Sequence, residues 1–144
     1  MIRKTVAAFA IAAAALAGTG VLTGCDPSKP APVSSAGSVV QLSATPTAFT
    51  AGVLDDGSAY TSVLVTVTNN SKDKVVSVNP LYFSITDTAG NKHTAELGVE
   101  QNEIAMVDLQ PGEKVTGAVA AKGTFTAKTV VFDNMTDQVR AEVS

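Results

Sequence analysis

Residues 61–69 read Thr-Ser-Val-Leu-Val-Thr-Val-Thr-Asn, and this stretch decides the fold class. Val63, Val65 and Val67 recur at every second position, so in an extended chain they share one face. β-branched residues favour strands, and apolar residues at alternate positions are typical of a strand with one face in a core and the other in water. The stretch therefore predicts a half-buried β-strand.

The same period of two recurs along the chain from Ser38 onward. Alternation is clear in residues 81–86, where Leu81, Phe83 and Ile85 are predicted to face the core, and again in 115–119 and 138–143. Weaker strand candidates are 39–44, 75–78, 92–96, 104–109 and 129–133. No stretch of ten or more residues shows a helical stripe. Many short strands separated by turns predict an all-β fold, an antiparallel two-sheet sandwich.

Turn residues separate these strands. The ranges 55–58, 69–73 and 87–91 are rich in Asp, Asn, Ser and Gly, which favour turns. Gly90 can adopt positive φ, and Pro111-Gly112 suits the centre of a type II turn. Gly117 lies inside a predicted strand, which indicates a bulge or a close neighbour.

Length, charge and cysteine content exclude several classes. The chain has 144 residues, which suits one domain, and its single cysteine cannot form an internal disulfide. Lys and Arg total 10 and Asp and Glu 13; since only Arg3 and Lys4 precede residue 26, the rest carries 8 cationic and 13 acidic side chains, a net charge of −5. This charge argues against nucleic acid as a partner, because nucleic-acid affinity comes mostly from neutralising phosphates.

Residues 1–25 have the layout of a secretory signal peptide: a basic start, an apolar run over 6–16 and a zone of small residues. The final Leu22-Thr23-Gly24-Cys25 resembles a bacterial lipobox, in which lipid is attached to the cysteine thiol. We therefore expect lipidation at Cys25; the alternative is a plain secretion signal with an incidental cysteine. Residues 26–37 are rich in Pro and Ser and predict a disordered tether, and 38–144 form the sandwich domain.

The order of several turn motifs resembles a known family. Residues 78–83 read Val-Asn-Pro-Leu-Tyr-Phe, residues 87–90 Asp-Thr-Ala-Gly and residues 109–112 Leu-Gln-Pro-Gly, followed by Gly117. Over about 38–143, this pattern resembles the immunoglobulin-like domain of unknown function found in bacterial lipoproteins. That family is related in fold to secreted immunoprotective antigens, and its label is borrowed from a telomeric repeat-binding factor. The resemblance implies an immunoglobulin-like sandwich, a lipid-anchored extracytoplasmic location and no established catalytic residues.

Transition-metal chemistry has few candidate ligands in this sequence. His93 is the only histidine and follows a predicted turn, so it is expected to be a surface residue. A copper site would need His93 with Met106 or Met135, which show no ligand spacing. Met106 alternates with Ile104 and is expected to fill the core.

Acidic residues offer two further possibilities. Asp55 and Asp56 are adjacent and, with Asp133 and Asp137, could supply oxygens to a calcium ion, although the full loop pattern is missing. Glu100 and Glu103, in an acidic stretch that extends to Asp108, could perform acid–base chemistry on glycans if a cleft held them. Both groups are expected to lie in solvated loops. No Gly-x-Ser-x-Gly sequence is present to place a nucleophilic serine.

These observations favour a non-catalytic binding or structural module of the cell envelope, without a cofactor. Its expected partners are the membrane, through lipid on Cys25, and an envelope protein or other extracytoplasmic ligand. The alternatives are a copper-handling lipoprotein that uses His93 and Met106, and an envelope hydrolase.

Overall fold

The computed structural model describes residues 38–144, so the predicted signal peptide, Cys25 and the tether over 26–37 lie outside the described residues. The described residues form strands joined by turns, with one 3₁₀ helix at Pro80–Tyr82. The strands are β1 (Val40–Thr47), β2 (Tyr60–Asn69), β3 (Val76–Val78), β4 (Phe83–Asp87), β5 (Lys92–Glu96), β6 (Val107–Leu109), β7 (Lys114–Lys122), β8 (Ala127–Asp133) and β9 (Gln138–Glu142). In residues 38–144 no helix has the length and apolar character needed to cross a bilayer.

Seven strands form an antiparallel sheet in the order β1-β2-β7-β5-β4-β8-β9, and β3 and β6 form a separate pair. β5 connects two halves, because its start pairs with β4 and its end pairs with β7. The outer strands β1 and β9 approach each other at a parallel bridge between Ala44 and Val143. The two halves, β1-β2-β7 and β4-β8-β9, thus enclose one core, which confirms the predicted all-β antiparallel sandwich.

The core consists of the side chains that alternation assigns to the inner faces. Val63, Val65 and Val67 are fully buried, as the opening stretch predicts. Phe83 and Phe132 pack against each other with ring centroids 5.1 Å apart, within the favourable range for aromatic pairs. β9 alternates exposed and buried residues along its whole length, so this half-buried strand is also confirmed.

The segment predicted as a strand over 81–86 begins two residues later than expected. Asn79 Oδ1 accepts a hydrogen bond from Leu81 N at 2.9 Å, and Pro80 supplies a φ suited to a helical first turn. The chain therefore makes a 3₁₀ turn before β4. As a result Leu81 is exposed, and its predicted place in the core is wrong.

β7 is buried on both faces from Gly117 to Ala121, whereas the alternation over 115–119 predicts one buried and one solvent-exposed face. The segment that contains Ile104 pairs with the edge of β7, where Ile104 N donates to Ala118 O at 2.9 Å, and the Ile104 side chain lies in the core against Gly117. A close neighbour at Gly117 is thereby confirmed. Gly90 and Gly112 both have positive φ, +92° and +85°, as their predicted turns require.

Candidate functional site

Met106 lies on the surface, and its predicted place in the core is wrong. The strand predicted over 104–109 is formed only from Val107 onward, because Ile104 is held against β7 and the chain then turns away from the core. Met106 is 65% exposed, and its Sδ accepts a hydrogen bond from Asn79 Nδ2 at 3.4 Å. A large apolar side chain is therefore presented to solvent.

Met106 borders a surface depression of about 360 Å³. The depression is lined by residues of the β3–β6 pair, the segment that leads into it and the 3₁₀ helix with its N-cap: Ser77, Val78, Asn79, Tyr82, Met106, Val107 and Asp108. Tyr82 also borders a second, smaller depression of about 150 Å³, whose lining includes Leu81 and Asp133. Tyr82 thus borders both depressions, and each depression has an exposed apolar side chain in its lining.

The β8–β9 hairpin presents another exposed methionine next to these depressions. Met135 is 94% exposed and has φ +71°, a left-handed conformation that is uncommon for a residue with a side chain. Asp133 Oδ1 accepts from Met135 N at 2.9 Å, and Asn134 Oδ1 accepts from Asp137 N at 2.7 Å. Asn134 Nδ2 donates to Ser77 O at 3.3 Å, so the hairpin is held against β3.

We call Leu81, Met106, Val107 and Met135 the apolar patch. All four are exposed, and the contacts above connect the elements that carry them. Alternation did not predict this patch. The available signal was local: Asn79-Pro80 favours a turn before Leu81, and a loop at 105–106 would free Met106 from alternation.

His93 is half-buried and held by two partners. Its Nε2 lies 2.9 Å from Asp87 Oδ2, and its ring stacks on Phe125 with centroids 3.8 Å apart. The His93 side chain and the backbone N–H of Asn91 hold the pKa of Asp87 well below its usual range. Within residues 38–144 no hydroxyl or thiol forms a hydrogen bond with His93. The pair therefore connects the two strands that flank the β4–β5 turn.

The candidate copper ligands are not brought together. His93 contacts Asp87 at the last residue of β4, whereas Met106 contacts Asn79, which precedes that strand. Met135 lies on the same side as Met106, in the hairpin bound to β3. The structure thus brings the two methionines to one end of the domain and leaves the histidine at the other end of β4.

The candidate calcium ligands also lie in different places. Asp55 and Asp56 belong to the loop before β2, and Asp133 and Asp137 belong to the β8–β9 hairpin. Asp56 Oδ2 accepts from Lys122 Nζ at 2.9 Å, and this cation lowers the pKa of Asp56. Across residues 38–144, no three His, Cys, Asp or Glu side chains converge as metal ligands.

Glu100 is buried, although a solvated loop is expected from the sequence. Only 3% of its surface is exposed, and its Oε2 accepts from Ser62 Oγ at 2.8 Å. Both of its oxygens also accept from Thr50 N. This carboxylate joins three segments of the chain, so its visible role is structural.

Glu103 lies near Glu100 beside a depression of about 400 Å³. Its Oε1 accepts from Gly98 N at 2.8 Å. Partial burial, together with the charge of Glu100, raises the pKa of Glu103. Asp108 of the same predicted acidic stretch lies elsewhere, in the depression next to Met106. The stretch is therefore divided between two surfaces.

Comparison with known proteins agrees with this architecture. The crystal structure of the secreted protein MPT63 from Mycobacterium tuberculosis is similar, with a TM-score of 0.54 and 15% identity over 72% of this chain and 80% of that one. At this identity the similarity concerns the fold alone. No curated protein matches the chain. The model of a family described as a domain of unknown function, DUF4352, matches residues 33–131, which confirms the resemblance to an immunoglobulin-like domain of unknown function. The chain therefore belongs to the DUF4352 family.

Proposed function

We propose that the chain is a lipoprotein of the extracytoplasmic face of a bacterial cell membrane and that its sandwich domain binds an envelope protein without catalysing a reaction. The membrane attachment would be the lipid on Cys25. The domain would hold a protein partner through the apolar patch. Lipid attachment confines both partners to one surface, which raises their effective concentration and allows weak contacts to suffice.

The anchoring part of the proposal is supported by residues 1–25. Their basic start, apolar run and final Leu-Thr-Gly-Cys are the pattern of a lipoprotein signal. Two acyl chains hold a protein at a bilayer far more firmly than one, so a diacylglycerol on Cys25 would give lasting attachment. The fold shared with a secreted protein is consistent with a location outside the cytoplasm.

The binding part depends on one observation, the concentration of exposed apolar side chains at the apolar patch. Leu81 is 53% exposed, and Met106 and Met135 are more exposed still. Scattered apolar surface residues need no explanation, but grouped ones around a depression are typical of a protein interface. In contrast, the contacts of Glu100 and His93 are used within the fold. A contact surface therefore accounts for the geometry better than a reaction centre does.

Anchoring is tested by replacing Cys25 with Ala in the full chain. The variant is expected to move from the membrane fraction to the soluble fraction and to lose incorporation of labelled palmitate. Ser34→Ala, in the predicted tether, is the matched control and should remain in the membrane. Membrane retention of a cleaved Cys25→Ala protein would contradict lipid anchoring.

Binding is tested by placing a photoreactive amino acid at position 106 and irradiating intact cells. We expect a discrete crosslinked adduct at this position. Position 53 is the control, because Val53 is 94% exposed but lies in the loop before β2. Equal labelling at both positions, or none at position 106, would contradict the proposed contact surface.

A further inference from the structure

We propose that the apolar patch, together with the carboxylates beside it, binds a cationic and apolar segment of a partner protein, in which Lys or Arg residues flank large apolar side chains. This inference rests on the proposed binding function and names the chemistry of its partner. The inference is based on the positions of the acidic side chains around the exposed methionines.

The apolar component of the surface is provided by exposed side chains, among them two methionines. Met106 and Val107 stand at the larger depression, and Leu81 stands at the neighbouring one. Methionine adapts its shape to different apolar partners, because its chain is unbranched and its sulfur is polarisable. The depression of about 360 Å³ has room for one or two side chains, not for a whole helix.

The left-handed backbone at Met135 adds to this argument. The left-handed region is unfavourable for residues other than Gly, Asn and Asp, and Met135 adopts it. Backbone strain of this kind is frequent at functional sites. Here Asp133 and Asn134 hold the hairpin by side-chain hydrogen bonds to its backbone. The side chain that this hairpin presents is almost wholly exposed, so its position suits contact with a partner.

Three carboxylates lie next to these apolar side chains. Asp108 lines the larger depression, and Asp133 and Asp137 flank Met135 in the hairpin. Asp108 Oδ1 accepts from Ser77 Oγ at 2.6 Å, whereas its Oδ2 and the Asp137 carboxylate accept no hydrogen bond from residues 38–144. Among the side chains that line the two depressions, Lys92 is the single cation. The surface therefore offers free anionic oxygens to a cation.

This charge distribution selects one occupant among the alternatives. A two-fold dimer through this surface would bring the carboxylates of both copies into one interface, and like charges in an interface are unfavourable. An anionic membrane surface would repel them for the same reason. A protein segment that carries both cationic and apolar side chains satisfies both components of the surface, and its charges would also accelerate association.

The test uses the full chain with Cys25→Ala and a fluorescent peptide of alternating Lys and Leu as the probe. Two matched peptides have Glu in place of Lys, or Ser in place of Leu. Fluorescence anisotropy is expected to show binding of the Lys–Leu peptide that weakens with salt and is absent for the other two. Equal binding of the Glu–Leu peptide would overturn the proposal, as would binding of the Lys–Ser peptide at equal strength.

Variants of the chain test which side chains are responsible for peptide binding. Asp108→Asn combined with Asp137→Asn is expected to weaken peptide binding about threefold to tenfold and to reduce its salt dependence. Met106→Ser is expected to weaken binding without changing the salt dependence. Glu142→Gln, at the opposite end of β9 from the hairpin, is the control and should bind as the parent does. Thermal unfolding of each variant checks that the domain stays folded.

The outcome separates this inference from the proposed function. A crosslinked adduct at position 106 whose yield is unchanged in the Asp108→Asn, Asp137→Asn chain would overturn the cationic partner and leave the binding function standing. A lower yield of that adduct in the double variant would support both. Self-association of the chain, or its binding to anionic vesicles through this surface, would overturn the inference.

Discussion

The backbone of Ile104 lies directly against Gly117. A Cβ built on Gly117 would stand 2.3 Å from the Cα of Ile104, far closer than a non-bonded Cβ contact allows. A hydrogen bond from Ile104 N to Ala118 O stabilises this contact. After this contact the chain turns away from the core, so Met106 is exposed although Ile104, two residues earlier, is buried.

Replacing Gly117 with Ala is therefore expected to destabilise the domain. The added methyl group meets backbone atoms that cannot rotate away, and overpacking of this kind costs about 1–3 kcal/mol. Urea unfolding would measure the change in the free energy of unfolding. Lys114→Ala, exposed at the start of the same strand, is the control and should change it by less than about 0.5 kcal/mol. Equal stability of the two variants would contradict the close contact.

Asn69 is expected to be far more sensitive than its neighbour Asn70. The buried Asn69 Nδ2 donates to Lys74 O at 2.7 Å and to Leu109 O at 2.9 Å, which connects β2 to β6. Asn69→Ala removes the side-chain donor to Leu109 O and one of two side-chain donors to Lys74 O, and Ser71 N loses its acceptor, Asn69 Oδ1. The expected cost is about 1–3 kcal/mol. Asn70 is exposed, so Asn70→Ala should be nearly neutral. Similar losses in the two variants would show that the amide of Asn69 has no special role.

Glu100→Gln tests whether the buried carboxylate acts as a structural acceptor. Its oxygens accept from Ser62 Oγ and from backbone N–H groups, and the amide of Gln would place a donor opposite another donor. A mismatch of this kind at a buried site is expected to lower stability by about 1–3 kcal/mol. Gln101→Ala, at the adjacent exposed position, serves as the control. Unchanged unfolding of Glu100→Gln would argue against the structural role.

The contact between His93 and Asp87 predicts a loss of stability in acid. Because His93 and Asn91 N hold the pKa of Asp87 below its usual range, the unfolded chain takes up this proton at a higher pH than the folded chain does. The stabilisation is therefore complete above about pH 4 and decreases as the pH falls towards the folded pKa. Asp87→Asn is expected to be less stable at neutral pH and to lose less stability between pH 5 and 2.

The Asp87 prediction has a direct measurement. Carbon-detected NMR titration of the Asp87 carboxyl group should give a midpoint below the ordinary aspartate value. The His93→Leu variant should shift this midpoint upward, because the largest cause of the lowered pKa is removed. A midpoint that is the same in both proteins would show that His93 does not hold the carboxylate in solution.

Sequence reasoning was accurate where structure is set locally. Alternation identified the inner faces of β2 and β9, and Gly90 and Gly112 marked turns that need positive φ. It failed where alternation was extended past the end of a strand. Alternation predicts Leu81 and Met106 in the core, but a 3₁₀ turn precedes β4 and a loop precedes β6. Leu81 and Met106 are two of the four residues of the apolar patch.

The all-β class, the antiparallel sandwich and the family follow from the order of residues along the chain, because a period of two and the positions of turn residues are properties of neighbouring residues. The burial of Glu100 and the location of Met106 and Met135 at the same end of the domain became visible only in the folded chain. These outcomes depend on contacts between segments far apart in the chain, such as Ser62 with Glu100 and Ser77 with Asn134. No local pattern records such pairings, since burial depends on which distant strands lie against a residue.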